Sequence, residues 1–365
     1  FDGTQSPSYV VDVLRFWAAQ YHVDGIHLVG YAPLETIVKD PYLSDLKLWA
    51  KNWDEVRTAT ETDRGNRTKE EKKETGRRLS AYETGFMLDM RSFLKGDEGM
   101  LNQVALHVKD NPDAVASINY MANTNGFTLM DMVSYDHKHN EDNGEENHDG
   151  TDYNQSWNCG AEGPVRKKKI IGLRKRQLKN ALAMLFLSQG TPLLMAGDEF
   201  GRTQKGNNNA YCQDNEISWL NWNLLDSHKG LYEFTKNLIA FRKKHPVIHK
   251  QLPTSVCGMD PIHTHNLNAE ETDIPRDART FCVSFAGYDK EKGKDDLIYV
   301  AVNTFWEDVT ITLPNLHRRG AWHLSVNTYG DGNGHYCYPE GQEVRIDRSF
   351  VMRPRSVAVF TGRDY

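Results

Sequence analysis

The sequence predicts an α/β chain of 365 residues whose C-terminal part is all β. Three observations carry this. Residues 192–196 (PLLMA) form a continuous apolar run, too short for a surface helix and typical of a strand buried on both faces of a parallel sheet. Upstream and downstream of it, apolar residues recur at helical spacing, as in Val10, Leu14, Trp17 and Tyr21 or Leu231, Phe234, Leu238 and Phe241. Beyond about residue 251 the pattern changes to short alternating segments (280–285, 297–302, 309–313, 322–326, 356–361) separated by turn signals such as Asp331-Gly332-Asn333-Gly334. Two domains are therefore expected, 1–250 and 251–365, the second an antiparallel β-sandwich.

Composition narrows the class. With 39% hydrophobic and 26% charged residues and a net charge of −6, the chain reads as soluble and globular, and the mild acidity argues against a nucleic-acid partner. No apolar run approaches the roughly 18 residues that span a bilayer, so no membrane partner is expected. Five cysteines without CxxC spacing favour reduced thiols in a cytoplasm over a disulfide framework or a zinc site. Nothing calls for a cofactor.

Each element has its own signal. Ser8 is placed to cap a first helix, followed by a strand within 22–29. Residues 54–78 are charged and nearly free of large apolar side chains, so they are expected as an exposed or mobile loop, with a short charged helix at 69–75. Residues 131–150 form an acidic polar loop that lacks the EF-hand pattern, and its His137 and His139 lack zinc-motif spacing, so no metal is expected. The helix at 166–187 begins very basic, which reads as a solvated outer face. A last helix at 230–244 stops before Pro246. After 192–196 comes Gly197-Asp198-Glu199, then Asn207, Asn208, Asn209, Tyr211, Gln213, Asp214 and Asn215. This density of amide, carboxylate and aromatic groups suits the hydroxyls and ring face of a sugar.

The stretch GDEFGRTQKGNNNAYCQDNEISWLNW (197–222) resembles the last barrel strand and following loop of the isoamylase and glycogen-debranching branch of the α-amylase family. Residues 118–150 resemble the same branch, including the loop DMVSYDHKHNEDNGEENHDG. The resemblance implies an incomplete (β/α)8 TIM-type barrel, with strands 4–8 matched, followed by the β-sandwich; it places the fifth strand within 41–54, the sixth with its helix at 83–99 and the seventh at 114–119. The first three strands have no counterpart, so the reading expects a fragment, or a chain that a protein partner completes by covering its open sheet edge.

The family's logic is that of a retaining glycosidase, with two carboxylates about 5–5.5 Å apart and, here, a third that steadies the transition state. The resemblance places Val29 at the nucleophile position with His27 where an arginine would stand, Lys51 at the acid/base position, and Asn125 at the third carboxylate with Thr124 beside it. None of these is a carboxylate, so no catalytic residue is assigned. The leading expectation is a catalytically impaired or inactive relative that binds α-glucan (glycogen, starch or maltodextrin). Its substrate-binding candidates are Trp53, Asn125, His139, Asn140, Asp198, Glu199, Asn208, Asn209 and Tyr211. Trp49, Tyr135 and Trp157 are further candidates for stacking on sugar rings. Two alternatives stand beside it: an active α-1,6 debranching hydrolase built on unmatched carboxylates (Asp198, Glu199, with Asp54 or Glu83), and a structural or regulatory half-barrel partner of another amylase-family chain.

Overall fold

The computed structural model describes residues 6–53, 78–110, 115–271, 274–275, 277–316, 320–332 and 334–363. All of the charged stretch 54–78 except Arg78, with its expected short helix, lies outside the described residues. The chain divides into two compact units, 1–84 with 110–119, and 85–109 with 120–365.

The first unit opens with helix α1 (Pro7–Tyr21). The expected cap is corrected: Ser6 is the N-cap and Pro7 takes the first helical position, where its missing N–H costs nothing. Val10, Val11 and Leu14 bury one face of α1. Arg15 leaves that helix to meet Asp40, its Nη2 donating to Oδ2 at 2.5 Å, and Asp40 Oδ1 accepts from the backbone of Tyr42. Strands β1 (Gly25–His27), β2 (Lys47–Ala50), β3 (Leu79–Glu83) and β4 (Ala116–Tyr120) pair in parallel, with a short helix α2 (Leu34–Lys39) between the first two. The strand expected within 22–29 is thus only three residues long. Ile37, Leu43, Leu48, Leu79 and Trp53 form this unit's core.

The second unit contains α3 (Thr84–Lys95), α4 (Leu101–Lys109), the short α5 (Leu129–Met132), α6 (Lys168–Phe186), α7 (Asn223–Ser227) and α8 (Lys229–Lys244). Strand β5 (Thr191–Leu193) follows α6. It is shorter than the apolar run suggested and not buried on both faces: Thr191 is exposed, and Pro192 and Leu193 are half-buried. The run's remaining residues leave the strand instead of extending it. The carbonyls at the end of α6 are collected by one side chain from α8, Arg242, which donates to Phe186 O and Ser188 O at 2.7 Å and Gly190 O at 2.5 Å. This satisfies the acceptors that a helix end leaves open.

Helix α6 departs from expectation on its basic side. Arg174 and Lys179 are buried along with Leu178, Ala181, Leu182 and Leu185, so the basic run is not wholly a solvated face. The remaining strands, β6 (Ile262–His265), β7 (Thr280–Asp289), β8 (Lys294–Asn303), β9 (Val309–Thr312), β10 (Ala321–Asn327), β11 (Val344–Ile346), β12 (Ser349–Met352) and β13 (Ser356–Arg363), form two antiparallel sheets. One has the order β11-β10-β13-β8-β7-β6 and the other is β12-β9. Phe281, Val283, Val300 and Val359 turn toward the helical core, while Tyr299, Ala301, Trp322 and Phe360 pack with Ile311 and Met352 of the small sheet. The central strands are therefore buried on both faces, as in a sandwich backed by helices.

Candidate functional site

In a parallel β/α sheet the residues just past the C-terminal strand ends are positioned for chemistry. In the first unit those are His27, Val29 and Lys51. His27 ends β1, and its ring stacks on Tyr82 at 4.8 Å and on Trp49 at 5.6 Å. The parallel register His27↔Trp49 and Trp49↔Ser80 puts these three rings on one face of the sheet, since side chains two apart on a strand share a face. Reduced solvation among these rings lowers the His27 pKa below its ordinary value. Val29 is 66% exposed and Lys51 is exposed. Trp53 is 1% exposed, and its Nε1 donates to Ser80 O at 2.8 Å, so its ring is spent on the core and presents no face to a sugar.

The second unit holds the other positions. Thr124 and Asn125 are exposed beyond β4, and Asn125 N donates to Asn123 Oδ1 at 2.9 Å, an Asx turn. The loops 131–163 and 197–222 are joined by a lattice of side-chain amides. Asn208 is buried and saturated: its Nδ2 donates to Thr151 O (2.7 Å) and Asn154 Oδ1 (2.9 Å), while its Oδ1 accepts from Asn140 Nδ2 (2.9 Å). Asn140 is also buried, and its Oδ1 accepts from Asn208 N at 2.9 Å. Asn209 is half-buried and donates from Nδ2 to Asp149 Oδ2 at 2.8 Å. Asn143 adds bonds to the same carboxylate and to Asn209 O. Burial raises the Asp149 pKa, but the amide donors Asn143, Asn209 and Asn140 outweigh it and hold the carboxyl below its usual range. Gly150 is required here, because at φ +71° it packs so closely that a Cβ would overlap Asn208 Oδ1 and sit 2.8 Å from Asn140 Nδ2.

Beneath the lattice lie two buried carboxylates. Asp131 accepts from Thr203 Oγ1 and from Gln204 N at 2.7 Å, and desolvation pushes its pKa up to about 6. Asp198 is 1% exposed and accepts from Leu129 N at 3.0 Å; burial drives its pKa to about 7, opposed by the Leu129 bond and by Arg91. Arg91, itself buried, donates to Met121 O, Asn154 O and Phe127 O. Glu199 folds back to accept from Gly197 N at 2.8 Å. Both acidic residues of the 198–199 pair thus hold backbone in place.

Besides Asn125, two predicted residues stay open to solvent. Tyr211 is 67% exposed, and its hydroxyl donates to Glu145 at 2.5 Å. That bond lifts the phenol's pKa to about 12. His139 is exposed, packs edge-on to Tyr135, and meets Glu162 at 3.3 Å.

Sequence reading missed Asp131, Arg91, Asn143 and Asp149 as members of this site. Asp131 did carry a signal: it stands three residues after Thr128, a helix-start spacing, and its N–H does donate to Thr128 Oγ1 at 3.1 Å. Among the described residues no group of three or more His, Cys, Asp or Glu side chains is placed to hold a metal.

No protein-family model matches the chain. The glycogen debranching enzyme of Serratia proteamaculans is 38% identical over 269 residues, 68% of this chain and 39% of the relative. Isoamylase 3 of Oryza sativa subsp. japonica is 31% identical over 345 residues, 87% of this chain and 41% of the relative. This chain belongs to the isoamylase and glycogen-debranching branch of the α-amylase family. It spans well under half the length of the curated relatives it matches. Among solved structures, a type I pullulanase from Bacillus subtilis in complex with maltose shares the fold, with a TM-score of 0.65 at 17% identity over 97% of this chain and 46% of that one. The expected architecture, an incomplete (β/α) barrel followed by a β-sandwich, is the one observed. In this member of the branch, the amide lattice joins the two loops that carried the family's sequence motifs. No helix among the described residues is long and apolar enough to cross a membrane.

Proposed function

We propose that this chain binds α-glucan and does not hydrolyse it. The observation that carries the reading is the chemistry of three positions: Val29, Lys51 and Asn125 stand where the family resemblance puts the nucleophile, the acid/base and the third carboxylate. Valine has no nucleophile, and a lysine amine is not the carboxyl group that the acid/base role takes in a retaining glycosidase. Asparagine keeps the shape of aspartate without the charge that would stabilise an oxocarbenium ion. Asp198 and Glu199 do not replace them, since both are bonded to backbone N–H groups and Asp198 is out of solvent.

Support for a glucan ligand comes from the relative named a glycogen debranching enzyme, from the maltose-bound structural neighbour, and from exposed Tyr211 and His139 beside the amide lattice. The five cysteines are all free thiols, which supports a cytoplasmic place. The test is isothermal calorimetry with glycogen and a branched maltodextrin, with reducing-sugar release followed in the same samples. Saturable heat without release is expected. Release above a catalyst-free control would overturn the claim that the chain is inactive; absence of heat would overturn glucan binding.

A further inference from the structure

A cavity of about 480 Å³ lies in the second unit and shares no residue with the amide lattice. Its volume falls within the roughly 300–1,000 Å³ of small-molecule sites. Its walls are largely apolar, with Met130, Ile171, Leu178, Leu224 and Leu231 among them. Into this cavity reaches Lys179, which is 4% exposed. An ammonium carries three donors. Here one reaches Lys175 O at a long 3.4 Å, and the nitrogen sits 4.0 Å from the centre of the Tyr336 ring. Among the described residues Lys179 has no carboxylate partner: Lys175 and Arg176 repel it, and the one opposing group is the Cys337 thiol, which is not a carboxylate. A buried cation in apolar surroundings is costly unless it is paired and hydrogen-bonded.

We propose that this cavity is a binding site for a small organic carboxylate with an apolar body, anchored on Lys179. The apolar walls take the body, and the ammonium meets the carboxylate in a charge-assisted hydrogen bond. Lys175, exposed at the same cavity, adds positive potential. A phosphoryl group fits less well, because the other deep cation is already occupied: the Arg174 guanidinium donates to the carbonyls of Gly163, Ser134, Asn158 and Ala161. One available buried cation matches one negative charge.

The test is calorimetry of the full chain with octanoate, octanol and octylammonium as probes. Octanoate is expected to bind and octylammonium not to bind. Lys179→Met is expected to weaken octanoate about ten-fold or more, while octanol stays within about two-fold of its wild-type affinity. Ile171→Trp, which fills the cavity from its wall and leaves Lys179 in place, is expected to abolish binding of both octanoate and octanol, and it decides the matter if Lys179→Met does not fold. No binding of octanoate, octanoate binding unchanged by Lys179→Met, or octanoate binding unchanged by Ile171→Trp would each overturn the proposal.

Discussion

Asn140 and Asn208, 68 residues apart in sequence, hold each other through two 2.9 Å hydrogen bonds: Asn140 Nδ2 donates to Asn208 Oδ1, and the Asn208 backbone N–H donates to Asn140 Oδ1. Both are buried. Truncating Asn208 to alanine therefore leaves the buried Asn140 Nδ2 and Asn154 Oδ1 each short of a partner. Each orphaned buried group costs about 1–3 kcal/mol, so Asn208→Ala is expected to lose on the order of 3 kcal/mol of stability. Urea titration with circular dichroism measures it. A change below about 0.5 kcal/mol, the size of an ordinary surface substitution, would mean the lattice is slack.

Asp198 gives a pH dependence whose sign follows from its burial. Its folded pKa is raised to about 7, above the value near ~3.9 of an unfolded aspartate, so the folded state keeps a proton that the unfolded state has released. Stability contributed this way is fully present below about pH 4 and declines as pH rises toward 7. Asp198→Asn keeps an oxygen for Leu129 N and cannot titrate. The variant is expected to match wild type near pH 4 and to exceed it at pH 8 by on the order of 2–4 kcal/mol. Denaturation midpoints at both pH values decide it; parallel curves would show that Asp198 stays ionised throughout.

How far such features could be read from the sequence depended on whether the signal was local. Helix α8 was legible because Leu231, Phe234 and Leu238 repeat at helical spacing and Pro246 stops the run, both properties of neighbours in the chain. The asparagine triplet 207–209 was legible as a polar loop but not in its direction. Asn207 and Asn208 turn inward because partners arrive from 54 to 68 residues away, which no local pattern records. Strand β5 was over-read, since an apolar run specifies burial and not extended pairing. The basic start of α6 failed similarly, because Lys179 is covered by Tyr336, which arrives from the connection between β10 and β11.

Lys179 itself is a stability liability. Burial first, then repulsion from Lys175 and Arg176, lowers its pKa to about 8 from an ordinary value of 10.5. The unfolded chain thus holds this proton more tightly, and stability rises as pH climbs from about 8 to about 10.5. Lys179→Met removes that rise and is expected to be more stable at pH 7 by about 1–3 kcal/mol, as apolar replacements of buried charge often are. Thermal melts at pH 7 and pH 10 check both halves, and a Tm of the variant below wild type at pH 7 would contradict the account.

Tyr211 separates binding from folding. Its ring is exposed and its hydroxyl is tied to Glu145, so the side chain presents an oriented aromatic face without supporting the core. Tyr211→Ala is expected to leave stability within about 0.5 kcal/mol while weakening glycogen affinity several-fold. Affinity electrophoresis in glycogen-containing gels, alongside a melt, reads both quantities. Unchanged mobility would remove Tyr211 from the binding surface.

The loops 131–163 and 197–222 are fastened chiefly by uncharged amides, with Asp149 as the one carboxylate that several of them share. Ionic strength weakens fastenings made of opposite charges, yet it has little hold on a neutral dipole paired with another. This pair of loops should therefore keep the same contour in dilute buffer and in concentrated salt.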